Sequence, residues 1–356
     1  MLASYIAWLI LAARAWSARF ISLRPLWHGC ALLVAAAGIA CGVLSFIGAL
    51  AGLLIAAMVI QAPGLWDRIR RSTEITANSW REWRFGPIRV INHGLPAGVG
   101  SFVGLLIVGT LTGSGHIASM WIIALSILIT SAIWAQVIEG SPSLLRPYGW
   151  YGGMLGAVFG VAIAAFLGDD PWLLLAAFCV AAPWIQSAGR VRCLVQGCCH
   201  GREAPAGIGI CITHPRSRVV RLSALAGTPI HPTPLYSILW NVVIAVVMAR
   251  LWLLQAHISM VVGVYLILGG MGRFVEESYR GEPQTRILAG LRLYQWLAVA
   301  SVLLGVFLTM IPTAPAPVES NLNWGAAVAA TCFGLLACIA LGVDFPESNR
   351  RFARLA

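Results

Sequence analysis

The sequence predicts an all-α, polytopic transmembrane protein, with a seven-span core and extra N- and C-terminal spans. Three observations carry this. Of its 356 residues 59% are hydrophobic and only 10% charged, too little polar surface to cover a soluble globule of this length. The mean hydropathy of +0.83 is gathered into apolar runs, and about 20 such residues, rising about 1.5 Å each as a helix, cross a hydrocarbon core of about 30 Å. Several of the 15 tryptophans sit where apolar runs meet polar ones, as rings anchored at the headgroup level do.

Taken in order, Met1 to Leu11 is apolar and is followed by Arg14, Arg19 and Arg24. No basic region precedes it and no small-residue cleavage site follows, so no cleaved signal peptide is expected. The apolar sequence from Leu26 to Leu65 is too long for one span and reads as two, or as one plus an interfacial segment. The polar stretch Asp67 to Arg84 reads as an interfacial connector of amphipathic turns, closing an N-terminal extension over 1–84. Seven spans follow, at about 95–112, 117–137, 152–168, 171–188, 235–253, 257–272 and 291–311, within a core of 85–312. An eighth, about 324–343, follows the proline-rich Pro312 to Pro317 and leaves an arginine-bearing tail in a C-terminal segment over 313–356. Glycines within the spans, such as Gly153, Gly156 and Gly160, allow close helix approach.

Every lysine-or-arginine position is arginine, so the formal charge of +11 sits on guanidinium groups. These grip phosphate with two prongs and suit anionic headgroups. The partners this points to are membrane lipids, not nucleic acid. Counting crossings puts Asp67 to His93, Glu139 to Tyr151, Ser187 to Tyr236 and Arg273 to Arg292 on one side, with nearly all the loop arginines. The positive-inside rule makes that side cytoplasmic, unless the arginines are recruited as phosphate ligands.

The longest interruption in the apolar sequence, Ser187 to Tyr236, concentrates the reactive side chains. Arg190 follows Gly189 at the end of one apolar run, and Arg273 follows Gly272 at the end of another. This repetition suggests two guanidiniums brought to one anionic ligand; a pair of interfacial anchors is the alternative. Glu277 lies four residues after Arg273, where helical side chains meet, and Arg280 and Arg286 follow. Cys193, Cys198, Cys199, His200, Cys211, His214 and His231 invite a zinc hypothesis, but adjacent cysteines rarely share a tetrahedral ion and there is no C-x-x-C pair. No metal and no cofactor is expected. A disulfide, a catalytic thiol beside an arginine, or plain packing remain open for these cysteines. Tyr151, before Gly152 and Gly153, reads on its own as an aromatic-belt residue.

Together these residues resemble the prolipoprotein diacylglyceryl transferase family. Five stretches carry the likeness in order: Phe85 to Arg89 with His93 to Leu95; Tyr151 to Gly156; Gly189-Arg190 through Gly197 to Arg202; His231 to Tyr236; and Gly272 to Phe274 with Glu277, Arg280 and Gly281. Leu291 to Trp296, containing Gln295, looks like the start of the family's last span.

The resemblance implies a reaction, in which the diacylglyceryl group of phosphatidylglycerol moves onto a lipobox cysteine thiol of a lipoprotein precursor, releasing glycerol phosphate. It implies a multi-pass protein of the bacterial inner membrane with its site on the periplasmic side. Arg190 and Arg273 match the family's essential arginines and would hold the leaving phosphate, with Arg280, His231 and Tyr236 beside them. Glu277 would hold Arg273, and Gly201 would serve a head loop over 189–233. Many members have His where this chain has Tyr151 and Tyr where it has His93, so the base would come from an exchanged His93 and Tyr151 pair. Asn and Glu of some members are replaced by Cys193 and Cys198, and the usual Gln and Glu by Pro234 and Ser237. The rival expectations are a relative with another acceptor, and a non-catalytic protein binding anionic lipid.

Overall fold

A computed structural model describes residues 64–140, 148–281, 285–317 and 321–347. The chain forms two compact units, Met1–Ser72 and Thr73–Ala356. In the first, residues 64–72 are helical, with Arg70 Nε 3.9 Å from Asp67 Oδ1. The spans expected before Leu65, residues 141–147 of the loop before Tyr151 and the last nine residues of the tail lie outside the described residues.

The second unit runs β1 (Glu82–Phe85), β2 (Ile88–Ile91), α1 (Gly94–Thr112), α2 (Ile117–Val137), α3 (Trp150–Phe166), α4 (Pro171–Gln196), β3 (Ile210–Cys211), α5 (Arg218–Leu222), β4 (Pro229–Ile230), α6 (Thr233–Leu253), α7 (Ile258–Tyr279), β5 (Ile287–Leu288), β6 (Leu291–Arg292), α8 (Leu293–Thr309), α9 (Trp324–Gly342) and β7 (Val343–Asp344). Among the described residues six helical segments are long and apolar enough to cross a membrane: α1, the 114–137 segment containing α2, α4, α6, α7 and α9. The apolar helices α3 and α8 are shorter, at 17 residues each. Seven apolar helices thus lie between Gly94 and Thr309, and the protein is a polytopic helical membrane protein.

The connector expected as amphipathic turns over Asp67 to Arg84 is helical only as far as 77. It then becomes extended, because Gly86 takes φ +58°, a conformation that suits glycine, and reverses the chain into a β1–β2 hairpin with Trp83 opposite Val90. β7 adds to β2 with Arg89 opposite Asp344. The two form a buried fork, Nε to Oδ1 at 2.8 Å and Nη2 to Oδ2 at 2.6 Å, which fixes the entrance to α1 against the end of α9.

Two helices overrun their expected ends. Asp170 caps α4 by accepting from Trp172 N at 2.9 Å and Leu173 N at 3.3 Å, with Pro171 at the first helical position. The helix does not stop at 188; it continues to Gly197, whose φ of +72° ends it. At 26 residues it is about 39 Å long, so its last turns pass beyond a core of about 30 Å. Likewise α7 continues through Arg273 to Tyr279 instead of ending at 272. Arg190 and Arg273 therefore sit inside helices, and the loop expected from 189 begins at 197.

The most extensive helix contacts are α7 with α8, α2 with α3, and α1 with α9. At Gly98 the approach of α9 is close enough that a Cβ would stand 2.8 Å from the Gly334 carbonyl oxygen, which is why a residue without a side chain is required. Leu105, Met120, Phe178, Met248, Val261 and Phe333 join these helices in one apolar core.

Candidate active site

One face of α7 orders the centre. Arg273, Glu276 and Glu277 fall at i, i+3 and i+4, the spacing that stacks side chains on one helix face, and Arg280 follows as the residue that caps the helix end. The Glu276 carboxylate receives three guanidiniums: Arg190 Nη2 at 3.0 Å, Arg273 Nη1 at 3.3 Å and Arg280 Nη2 at 2.8 Å. The Ser237 hydroxyl, from the first turn of α6, donates to its Oε2 at 2.5 Å. Glu277, fully buried, lies 3.2 Å from Arg273 Nη2, 3.5 Å from Arg280 Nε and 3.3 Å from Arg292 Nη1. Among the described residues, four guanidiniums gather on these two carboxylates, an arrangement that suits a further anion.

An aromatic wall supports Arg273. Its guanidinium carbon stands 4.8 Å over the Tyr294 ring, a cation–π contact. The Tyr294 hydroxyl donates to Glu139 and accepts from Trp134 Nε1. Tyr151 packs on Tyr294 at 5.1 Å between centroids and donates to its backbone oxygen at 3.2 Å.

The loop after α4 is stitched to the end of α7. Arg202 N donates to Tyr279 O at 3.0 Å, Gly281 N to His200 O at 3.1 Å, and Gly201 N to His231 O at 3.1 Å. A Cβ at Gly201 would collide with the His231 carbonyl, so the crossing needs glycine. His231 Nδ1 lies 3.0 Å from the Tyr236 hydroxyl, and its ring packs on Tyr279 at 4.9 Å. Burial, then the charge of Arg202, pushes the His231 imidazole below its ordinary range, which keeps it neutral.

Beside Arg190 are three thiols. The Sγ atoms of Cys193, Cys198 and Cys199 all lie within 4.8 Å of one another. Hydrogen bonding from Cys193 and Cys198, helped by the charges of Arg280 and Arg190 and opposed by burial, holds the Cys199 thiol well below the ordinary thiol range. The Cys198 thiol is pushed well above it by its bonds to Cys193 and Cys199 and by burial.

With this geometry in view, the model of the prolipoprotein diacylglyceryl transferase family matches residues 83–311. The chain belongs to that family. Phosphatidylglycerol–prolipoprotein diacylglyceryl transferases from Clostridium tetani and Leifsonia xyli are similar to it, at 26% identity over 175 residues and 29% over 184. These alignments cover 48% and 51% of this chain, and 68% and 52% of the relatives. A second such transferase of Clostridium perfringens is 26% identical over 158 residues, covering 42% of this chain and 59% of the relative. The chain thus spans about half to two thirds of the length of these relatives.

The family's candidate residues are distributed around the cluster. Arg273 and Arg280 meet Glu277 directly and Arg190 joins them through Glu276; Tyr151 joins through Tyr294; Gly201, His231 and Tyr236 join through Arg280, Arg202 and Tyr279. His93 is fully buried with its ring edge-to-face on Trp80 at 5.2 Å, and Tyr151 packs on Trp150 and Tyr294. Sequence reading passes over Glu276, Arg292, Tyr294 and Ser237 as site groups. Glu276 carried a signal, since it is three residues after Arg273 and four before Arg280. Ser237 stands where the family resemblance leads one to expect Glu, and Glu276 accepts its hydrogen bond from the neighbouring helix.

Proposed function

We propose that the protein transfers the diacylglyceryl group of phosphatidylglycerol to the lipobox cysteine thiol of lipoprotein precursors. It would do so in the bacterial inner membrane, with the site toward the periplasm, where secreted precursors emerge. The observation that carries this reading is the convergence of Arg190, Arg273, Arg280 and Arg292 on Glu276 and Glu277 at the C-terminal ends of α4 and α7. The single negative charge of a phosphodiester headgroup suits such a group of forked donors.

The reaction is displacement at a glycerol carbon. The sulfur attacks, the carbon–oxygen bond to phosphate breaks, and glycerol phosphate leaves with the bonding electrons. Arg190 and Arg273 neutralise the charge that develops on the leaving phosphate, as fixed donors do for a departing anion. Glu277 holds Arg273 and Arg280, and Tyr151 holds Tyr294 beneath Arg273. Gly201, His231 and Tyr236 fix the loop that closes over Arg280. His93 is the candidate proton acceptor for the thiol in the exchanged pair with Tyr151, and the pair is open to direct test by substitution. The domain reading that goes with this function is a transferase core over 85–312 flanked by accessory segments.

The decisive assay incubates the purified chain in phosphatidylglycerol nanodiscs with a lipobox peptide and weighs the peptide. A thioether-linked diacylglyceryl adduct supports the proposal, and its absence from a folded, lipid-binding protein counts against it. Reporter fusions at the 197–232 loop give the side.

A further inference from the structure

Cys193 in the last turn of α4 and Cys198 and Cys199 just beyond it form a group of three thiols. Gly197 at φ +72° turns the chain back on the helix, and Cys199, a non-glycine residue, is itself left-handed at φ +59°. Such a conformation is disfavoured for a residue with a Cβ and persists where surroundings impose it. Here the Thr233 hydroxyl donates to the Cys199 carbonyl. The outcome is that two adjacent cysteines and Cys193, which sequence spacing sets against a shared ion, bring all three Sγ atoms within 4.8 Å of one another. A tetrahedral zinc site with bonds of about 2.3 Å has sulfur–sulfur edges of about 3.8 Å, a modest contraction of this triangle.

We propose that Cys193, Cys198 and Cys199 bind a zinc ion through three thiolates, and that its fourth position takes the acceptor cysteine thiol. The inference rests on the transferase reading above. Three protein ligands with one open position is the arrangement of a catalytic zinc site, as opposed to a closed structural one. Cys198 is buried, and Cys193 and Cys199 are partly exposed as whole residues. Zinc with three thiolates carries one negative charge, and Arg190 and Arg280 both act on Cys199 through their charge.

The chemistry is S-alkylation, and its requirement is a thiolate. A thiol that coordinates the ion is deprotonated outright, its proton passing to the acceptor named in the transferase reading. The bound sulfur then attacks the glyceryl carbon, the carbon–sulfur bond forms, and the carbon–oxygen bond to phosphate breaks with its electron pair leaving on glycerol phosphate, beside the arginines. Zinc keeps its oxidation state throughout. The product thioether is neutral, a weaker ligand than thiolate, and leaves the ion. In this scheme the metal lowers the proton affinity of the thiol, and His93 stays the candidate acceptor of the proton it releases.

The test uses the full chain in phosphatidylglycerol nanodiscs, with Cd(II) as a spectroscopic probe for the thiolates and zinc measured by elemental analysis. One ion per chain is expected. Adding a cysteine-containing lipobox peptide raises the thiolate-to-cadmium absorption by about one third, three thiolates becoming four, and a serine peptide leaves it unchanged. Cys193→Ser, Cys198→Ser and Cys199→Ser each abolish this response, whereas Cys332→Ser on α9 does not. Thr233→Val keeps every thiol but releases the Cys199 carbonyl, and it weakens the metal about 10- to 100-fold, as loss of a supporting hydrogen bond does. Failure to retain metal, a disulfide among the three cysteines, or no spectral change with the cysteine peptide overturns the site. Undiminished transfer by chelator-stripped protein overturns its catalytic role while sparing the transferase reading. Metal and peptide ligation with no thioether formed from phosphatidylglycerol overturns the transferase reading instead.

Discussion

Arg190 Nη2 lies 3.0 Å from Glu276 Oε2, joining the emerging end of α4 to that of α7. The same carboxylate takes Arg273 and Arg280 at 3.3 and 2.8 Å. Glu276→Gln keeps the shape but removes the charge that three guanidiniums share. Breaking a buried ion pair from one side costs about 3–5 kcal/mol. The variant is expected to unfold at clearly lower temperature than the parent in the same detergent; an unchanged midpoint would show that the carboxylate does not hold the cluster together.

Arg190→Lys and Arg273→Lys preserve charge and lose the planar fork. A hydrogen bond to a charged group contributes about 1.5–3 kcal/mol, so each variant should transfer about 10- to 100-fold more slowly. Wild-type rates in either would mean that a point charge suffices at that position.

Gly201→Ala inserts a methyl against the His231 carbonyl. Because Gly201 also bridges Arg280, the expected result is a displaced loop, read as faster proteolysis within 197–232 together with weaker phosphatidylglycerol binding. A variant as protease-resistant and as tightly binding as the parent contradicts the close crossing.

Much of this was legible in the sequence, and the failures have physical reasons. The apolar runs mark the spans because burial in lipid demands them. Their true ends were hidden, since Arg273, Glu276, Glu277 and Arg280 satisfy one another along α7 and let a polar helix continue where hydropathy predicts a stop. The i+4 spacing from Arg273 points to Glu277; Glu276 needed the i+3 spacing and a partner from α4. The thiol triangle was invisible because adjacency argues against it until the left-handed turn at Cys199 is known. Tyr294 lies in a stretch, Leu291 to Trp296, that sequence resemblance picks out, but only the fold sets its ring under Arg273.

His231 and His214 give the protein a definite response to acid. Burial first, then Arg202 for His231 and Arg216 for His214, lowers both imidazoles in the folded state, with Glu82 partly opposing this at His214. The unfolded chain titrates at about 6.5 and so binds protons first. The stability they contribute is fully present above that value, falls as pH drops through it, and levels off below the folded values. Replacing both with Asn should flatten the melting temperature between about pH 7 and 5. A profile as steep as the parent's would place the sensitivity elsewhere.

Tyr151→Phe removes the hydroxyl bonded to the Tyr294 backbone and His93→Gln removes the imidazole beside Trp80. If His93 and Tyr151 form the pair that takes the thiol proton, both variants should slow transfer, the first by at least about tenfold, the scale of a neutral hydrogen bond. A wild-type rate in either refutes the pair.

The most direct measurement of the central claim is the mass of a lipobox peptide after incubation with phosphatidylglycerol and the full chain, for the parent and for Arg190→Ala and Arg273→Ala. The account predicts a thioether-linked diacylglyceryl adduct with the parent, and neither adduct nor phosphatidylglycerol binding with either variant. Adduct formed at the parental rate by both variants would contradict it.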